Sequence, residues 1–414
     1  MWTHEPNIPE GIFMTTPMLT EKPSVYPARS SERLQKAMQR LHTEDWTRLE
    51  GAPETEAALR EFHGGGTVWY VASGTAALEA ILLGHNIGPG DEVITPPYTW
   101  GATVAAILAI GAVPVFADID PQTALINPVS VRQCISPRSK AVLAVHLFGT
   151  PCEMSALRKI TDDYGIFLFE DGSQAHGARL HGERVGRLGH ASAFSCMGMK
   201  PLAGTEGGYC IFEDPEAAER ADLHGKHPRG LSAERAEVLT EAGLLDALQL
   251  GWRPCAIGAE LVRSGLETLD AENAGRCENA RHLRSLLADL PGISLAEEPE
   301  GTEPIYHLLS VIIDPDQIKK TPRECIEMIA PCGLSAFHYI PIPMHRLRRI
   351  LWEDYDGPPV FWHRQLREAR MRYSEVDCPG AEARCQGSFE MGWNWTEPNP
   401  RAMEQIFEIL TRLV

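Results

Sequence analysis

Lys200 stands in the stretch Cys196-Met197-Gly198-Met199-Lys200-Pro201, among apolar and small neighbours rather than in a solvated charged segment. Desolvation lowers a lysine's pKa and frees its amine to attack a carbonyl, which is what a Schiff-base lysine must do. Ser195, just before it, closes an apolar run with a hydroxyl. Upstream, Phe169-Glu170-Asp171-Gly172-Ser173-Gln174 ends another apolar run on two carboxylates. Asp171 there could ligate a metal, act as a base, or pair with a cationic ring nitrogen. His176 and His181 are nearby, but their spacing suits no usual ligand pair, so no metal is expected. Ala72-Ser73-Gly74-Thr75-Ala76 is a small-residue turn opening a helical pattern. Free backbone N–H groups and the positive end of the helix dipole suit such a turn to a phosphate, with the Thr75 hydroxyl added. Thr95-Pro96-Pro97-Tyr98-Thr99-Trp100 puts aromatic rings after a further apolar run, as a stacking plate for a flat ring or as core.

Each feature alone also has an ordinary explanation: a surface lysine, a common helix start, core aromatics. Their placement is what gives them weight. Apolar runs at 68–71, 92–95, 113–117, 140–146, 166–169, 192–195 and 208–212 read as strands, and helical patterns at 75–83, 100–110, 128–134 and 153–164 fit between the early ones. The alternation predicts an α/β domain with a seven-stranded, mostly parallel sheet. In such sheets ligands bind beyond the carboxyl ends of the strands, which is where these residues fall. A phosphate turn, an aromatic plate, a strand-end aspartate and a strand-end lysine on one sheet edge are together what pyridoxal 5'-phosphate (PLP) requires.

At 414 residues the chain exceeds what one hydrophobic core usually serves. Residues 1–30 read as an N-terminal extension, 31–255 as the large α/β domain, 256–290 as a connecting helix and 291–414 as a smaller C-terminal α+β domain. Within the last, strands are expected at 307–313 and 334–340, a helix after Thr321-Pro322, and a closing helix at 402–414. There are 38 Lys and Arg against 56 Asp and Glu, a formal charge of −18, which argues against nucleic acid or anionic lipid as partner. No apolar run approaches membrane-spanning length, no secretory signal opens the chain, and the ten cysteines form no C-x-x-C, so a cytoplasmic protein with reduced thiols is expected.

The blocks Ser73-Gly74-Thr75-Ala76-Ala77-Leu78, Pro89-Gly90-Asp91-Glu92-Val93-Ile94, Val145-His146-Leu147-Phe148-Gly149, Glu170-Asp171-Gly172-Ser173-Gln174-Ala175-His176-Gly177-Ala178 and Phe194-Ser195 through Lys200 to Gly207-Gly208 occur in this order. The chain thereby resembles the DegT/DnrJ/StrS sugar and cyclitol aminotransferases, PLP enzymes of fold type I. The resemblance implies that Lys200 binds PLP covalently and that Asp171 pairs with the pyridine nitrogen. Gln174 would sit near the ring hydroxyl, Gly74, Thr75 and Ser195 would hold the phosphate, and Trp100 would stack on the ring. It implies a homodimer with sites at the subunit interface, an amino-acid donor (L-glutamine or L-glutamate) and a keto-sugar or cyclitol acceptor, as in antibiotic biosynthesis.

The match is incomplete. Gly251-Trp252-Arg253 stands where many members carry an Asn-x-Arg that reaches the neighbouring subunit's phosphate, which leaves Arg253 as the replacement. His227, in His224-Gly225-Lys226-His227-Pro228-Arg229, and His338-Tyr339 are further candidates to meet the acceptor. Alternatives are a nucleotide-linked keto-sugar acceptor, a PLP enzyme without transamination, and a non-catalytic regulator. Members that dehydrate sugars carry histidine at the lysine position, and a regulator would not need both Asp171 and Lys200.

Overall fold

The computed structural model describes residues 19–24, 30–42, 52–225, 231–244 and 248–414. All seven apolar runs form strands: β1 (Thr67–Val71), β2 (Glu92–Thr95), β3 (Val113–Phe116), β4 (Ser139–Val145), β5 (Phe167–Asp171) and, after a short hairpin of β6 (Arg179–Leu180) and β7 (Glu183–Arg184), β8 (Ala191–Ser195) and β9 (Gly208–Phe212). They lie in one sheet in the order β1-β9-β8-β5-β4-β2-β3, so β5 is its middle strand. Strands β2, β3, β4, β5 and β8 run parallel, while β9 is antiparallel to both its neighbours. The reason is local. Parallel neighbours need a crossover, usually a helix, whereas residues 196–207 between β8 and β9 form the turn that carries Lys200.

Helices Gly74–Gly84, Gly101–Ala109, Pro128–Cys134 and Met154–Tyr164 cover the sheet close to where the sequence pattern puts them. Helix Ala256–Leu287, 32 residues long, runs on into the C-terminal part. There β10 (Ile293–Leu295), β12 (Leu308–Ile313), β13 (Ala336–Phe337) and β14 (Ser388–Gly392) form an antiparallel sheet in the order β10-β12-β14-β13, while β11 (Thr302–Glu303) pairs with β6. The helix after Thr321 has the expected cap: Thr321 and Glu324 close a capping box around Pro322–Ile329.

The strand expected at 334–340 pairs over two residues only. Tyr339 N–H is given to the Glu390 side chain (2.9 Å), and Pro341 and Pro343 have no N–H to offer, so the ladder stops. Strand β14 is not legible in the sequence, because Glu390 in its middle reads as a surface charge; it is fully buried. Residues from the same C-terminal third, among them Ile340, Met344, Leu366, Tyr373 and Cys378, share one hydrophobic core with Val104, Phe116 and Val142 of the large sheet layer. The Tyr373 hydroxyl donates to the Pro114 carbonyl at 2.6 Å in that core. All ten cysteines are unpaired. No helix among the described residues is long and apolar enough to cross a membrane.

Helix Ala256–Leu287 and the chain after β14 touch at Gly275, where a Cβ would collide with the Thr396 carbonyl. Asn279 Nδ2 fastens the contact by donating to the carbonyls of Gly275, Trp395 and Glu397 at 2.9, 3.1 and 2.8 Å. Alanine gains about 1 kcal/mol over glycine in a helix interior, but crowding against backbone commonly costs about 1–3 kcal/mol or more. Gly275→Ala is therefore expected to lower the thermal unfolding midpoint despite the better helix former, as calorimetry would show; a raised midpoint would contradict the close approach.

Candidate active site

Asp171 ends the middle strand, with its carboxylate buried. Its Oδ1 accepts the Ser173 N–H (3.1 Å) and its Oδ2 accepts the Thr103 hydroxyl (2.8 Å). No ion pair to Asp171 occurs among the described residues. A buried anion held only by a hydroxyl and an amide is costly, and a cationic ring nitrogen is the kind of group that would complete it.

Lys200 follows β8 in a turn fixed by its own backbone: Cys196 N–H to Gly207 O, Gly204 N–H to Cys196 O and Lys200 N–H to Met197 O, each 2.8 Å. Its side chain is 9% exposed, and burial lowers its pKa to about 8 against smaller opposing pulls from Asp171 and Cys196. Near neutral pH a usable fraction of the amine is thus unprotonated, as a nucleophile toward an aldehyde needs.

The small-residue turn lies against the end of β8. A Cβ on Gly74 would sit 2.7 Å from Ser195 Cβ, and one on Gly208 would sit 2.5 Å from Ser73 C and 2.6 Å from Gly74 N, so glycine is required at both. Ser73 caps helix Gly74–Gly84 by accepting the Ala76 N–H at 3.1 Å. First-turn N–H groups at Gly74 and Thr75 have no intrahelical acceptor, and with the Ser195 hydroxyl alongside they make a corner suited to a phosphate. Trp252, next to Arg253, anchors this turn from outside: its carbonyl accepts the Ala72 N–H (2.9 Å) and its indole donates to Glu79 (2.8 Å).

Gln174, Tyr339 and Trp100 form the third wall. Gln174 Oε1 accepts the Phe148 N–H (2.7 Å), which orients the amide so that Nε2 donates to the Tyr339 hydroxyl (2.9 Å). Tyr339 in turn stacks on Trp100, with centroids 5.6 Å apart and planes at 25°. Trp100 is 45% exposed, so its indole still offers open surface. Burial raises the Tyr339 hydroxyl above its ordinary range and keeps it protonated. Phe148 holds this wall with a left-handed backbone (φ 60°, ψ 4°), a conformation that costs a non-glycine residue about 1–3 kcal/mol.

Charge links Lys200 to Asp171, the hydroxyls of Thr103 and Thr99 link Asp171 to the turn of Trp100, ring contact and a hydrogen bond join Trp100, Tyr339 and Gln174, and Gly74 lies against Ser195. His338 is half-buried and lies toward Glu390. Arg253 is exposed, just ahead of helix Ala256–Leu287. His227 lies outside the described residues. Thr103, Phe148 and Glu390 serve the site without having been singled out in the sequence. Only the i, i+4 spacing of Thr99 and Thr103 was a readable signal; the left-handed Phe148 and the buried Glu390 are tertiary facts.

The model of the DegT/DnrJ/EryC1/StrS aminotransferase family matches residues 27–357. The chain belongs to that family. Among its relatives, a dTDP-3-amino-3,4,6-trideoxy-alpha-D-glucose transaminase of Streptomyces venezuelae is 35% identical over 66% of this chain and 69% of its own length. An L-glutamine:2-deoxy-scyllo-inosose aminotransferase of Streptomyces fradiae is 34% identical over 70% of each chain. The crystal structure of S. venezuelae DesV in complex with a ketimine intermediate superposes with a TM-score of 0.76 at 27% identity, covering 92% of this chain and 94% of that one. The protein is therefore an aminotransferase of PLP fold type I. PLP is the family's cofactor, and the residues present fit it: a depressed lysine, a buried carboxylate without an ion-pair partner among the described residues, and a glycine-floored anion corner.

If the Lys200 amine titrates near 8, the apoprotein's rate of capturing PLP should rise with pH through about 8 rather than through the ordinary lysine value of 10.5. Stopped-flow absorption would follow the rate, and borohydride reduction followed by peptide mapping should place the label on Lys200. A midpoint near 10.5, or a label elsewhere, would contradict the geometry.

Proposed function

We propose that this enzyme moves an amino group from L-glutamine or L-glutamate to the carbonyl of a sugar or cyclitol, in the biosynthesis of an antibiotic or other secondary metabolite. The observation that carries the reading is the buried Lys200 amine with its lowered pKa, set at the same strand ends as the buried Asp171 carboxylate. The amino-sugar and cyclitol relatives support the acceptor class. When bound, PLP supplies the electron sink for breaking the bond at the donor's α-carbon.

The remaining tasks fall to the chain's own residues. Lys200 would hold the cofactor, and its Nζ, as the free amine, would take and return the proton at the donor's α-carbon. Asp171 would pair with the ring nitrogen, and Gln174 would lie near the ring hydroxyl. Gly74, Thr75 and Ser195 would hold the phosphate, and Trp100 would stack on the ring. Tyr339 and His338 would meet the acceptor from the C-terminal side, and His227 is a further candidate for that contact.

The working unit in this reading is a cytoplasmic homodimer with a site at each subunit interface, where Arg253 reaches the partner's phosphate. Two observations support an interface here: Met199, beside Lys200, is 62% exposed despite being apolar, and Arg253 is exposed.

Absorption spectra of the holoenzyme with each donor, followed by product mass spectrometry with a keto-cyclitol and a nucleotide-linked keto-sugar, test the proposal. The visible cofactor band should bleach with at least one donor, and one acceptor should return as its amine. Lys200→Ala should lower kcat by at least about 10²-fold, the usual worth of a positioned acid–base group. A band indifferent to both donors would overturn the reading.

A further inference from the structure

The carboxylate of Asp171 is held by a hydroxyl pair that the reaction itself does not use. Thr103 Oγ1 lies 2.8 Å from Asp171 Oδ2 and 3.1 Å from Thr99 Oγ1. A hydroxyl has one proton, and an ionised carboxylate only accepts, so the Thr103 proton points to Asp171. The Thr99 proton must then point to Thr103, giving a one-way chain from Thr99 through Thr103 to Asp171. Both threonines are buried, at 0% and 1% exposure, so bulk water does not stand ready to replace either hydroxyl.

Their position is informative as well. Thr99 and Thr103 flank Trp100, the N-cap of helix Gly101–Ala109, and are one helical turn apart. A threonine in a helix often bonds back to the carbonyl four residues earlier. Here the hydroxyl of Thr103 goes across to the end of β5 instead. A single turn therefore carries the Trp100 indole and grips the carboxylate at the sheet's edge.

We propose that Thr103 is a positioning residue that fixes the orientation of the Asp171 carboxylate toward the cofactor's ring nitrogen, with Thr99 as the donor behind it. The inference rests on the reading of Asp171 as the partner of that nitrogen. Thr103→Val keeps the shape and removes the hydroxyl. The Asp171 carboxyl then loses its one side-chain donor and turns more freely, so that it no longer meets the ring nitrogen in a fixed orientation.

The test measures the PLP dissociation constant by equilibrium dialysis and the position and intensity of the visible cofactor band, with apoprotein thermal midpoints recorded in parallel. Thr103→Val should weaken PLP binding about tenfold, the scale of a hydrogen bond to a charged group, and alter the band. Thr103→Ser, which restores the donor, should bind within about twofold of the wild type on that scale. Thr99→Val should weaken binding about two- to threefold, since it acts only through Thr103, and it serves in place of Thr103→Val if that variant does not fold. Wild-type binding and spectrum in Thr103→Val, or in Thr99→Val as its replacement, would overturn the inference, as would a serine variant as weak as the valine one. Asp171→Asn separates the two levels. A loss of binding there with none in Thr103→Val removes only the role of Thr103, whereas no loss in Asp171→Asn removes the reading of Asp171 and the inference with it.

Discussion

A carboxylate buried at the end of the middle strand of a seven-stranded sheet has to be compensated, and much of this molecule's local geometry follows from that need. Asp171 has a hydroxyl on one oxygen and an amide N–H on the other, with no ion pair among the described residues. Lys200 feels its charge without bonding to it, and burial outweighs that pull on the lysine. Burial thus lowers the lysine's pKa enough for a fraction of its amine to act as a nucleophile, while the carboxylate stays at hydrogen-bond distance from a hydroxyl and an amide. Closing them into a direct ion pair would satisfy both and leave nothing for a cofactor to complete.

Adjacent Glu170 shows the contrast that strand alternation produces. Its carboxylate, on the other face of β5, accepts N–H groups from Gly186, Leu188 and Gly189 at 2.8 Å each, and meets His146 Nε2 at 3.0 Å. The Cys152 N–H donates to His146 Nδ1, so the ring carries its proton on Nε2 and donates it to Glu170. That carboxylate is fully satisfied, while its neighbour has only a hydroxyl and an amide N–H among the described residues.

The site is closed from two distant parts of the chain. Phe148 and Tyr306 both have left-handed backbones (φ 60° and 50°), and the two loops pair directly: the His307 N–H donates to Phe148 O at 2.8 Å and the Ile305 N–H to Gly149 O at 3.0 Å. Asn273, on the long helix, donates to the His176 carbonyl at 2.9 Å, and Arg276, one turn on, reaches Asn394 at 2.7 Å. The segment after Asp171 is therefore pinned both to the long helix and to the C-terminal chain. The strain at Phe148 persists because several bonds fix the same geometry.

The sequence by itself determined the sheet and the side chains at its edge. Period-two and continuous apolar runs mark the seven strands, a small-residue turn needs no distant partner to open a helix, and Lys200 and Asp171 fall at strand ends whatever packs around them. Tertiary structure decided the remainder. Strand β14 is hidden because Glu390 reads as a solvent-facing charge until Ser310, Tyr98 and the Tyr339 N–H are seen to converge on it. Tyr339 meets Gln174 from 165 residues away, and no local pattern encodes that distance. Local propensity and hydrophobic period act over a few residues, so they place elements. Which buried polar group finds which partner depends on desolvation in the finished fold, and that is settled only when the elements pack together.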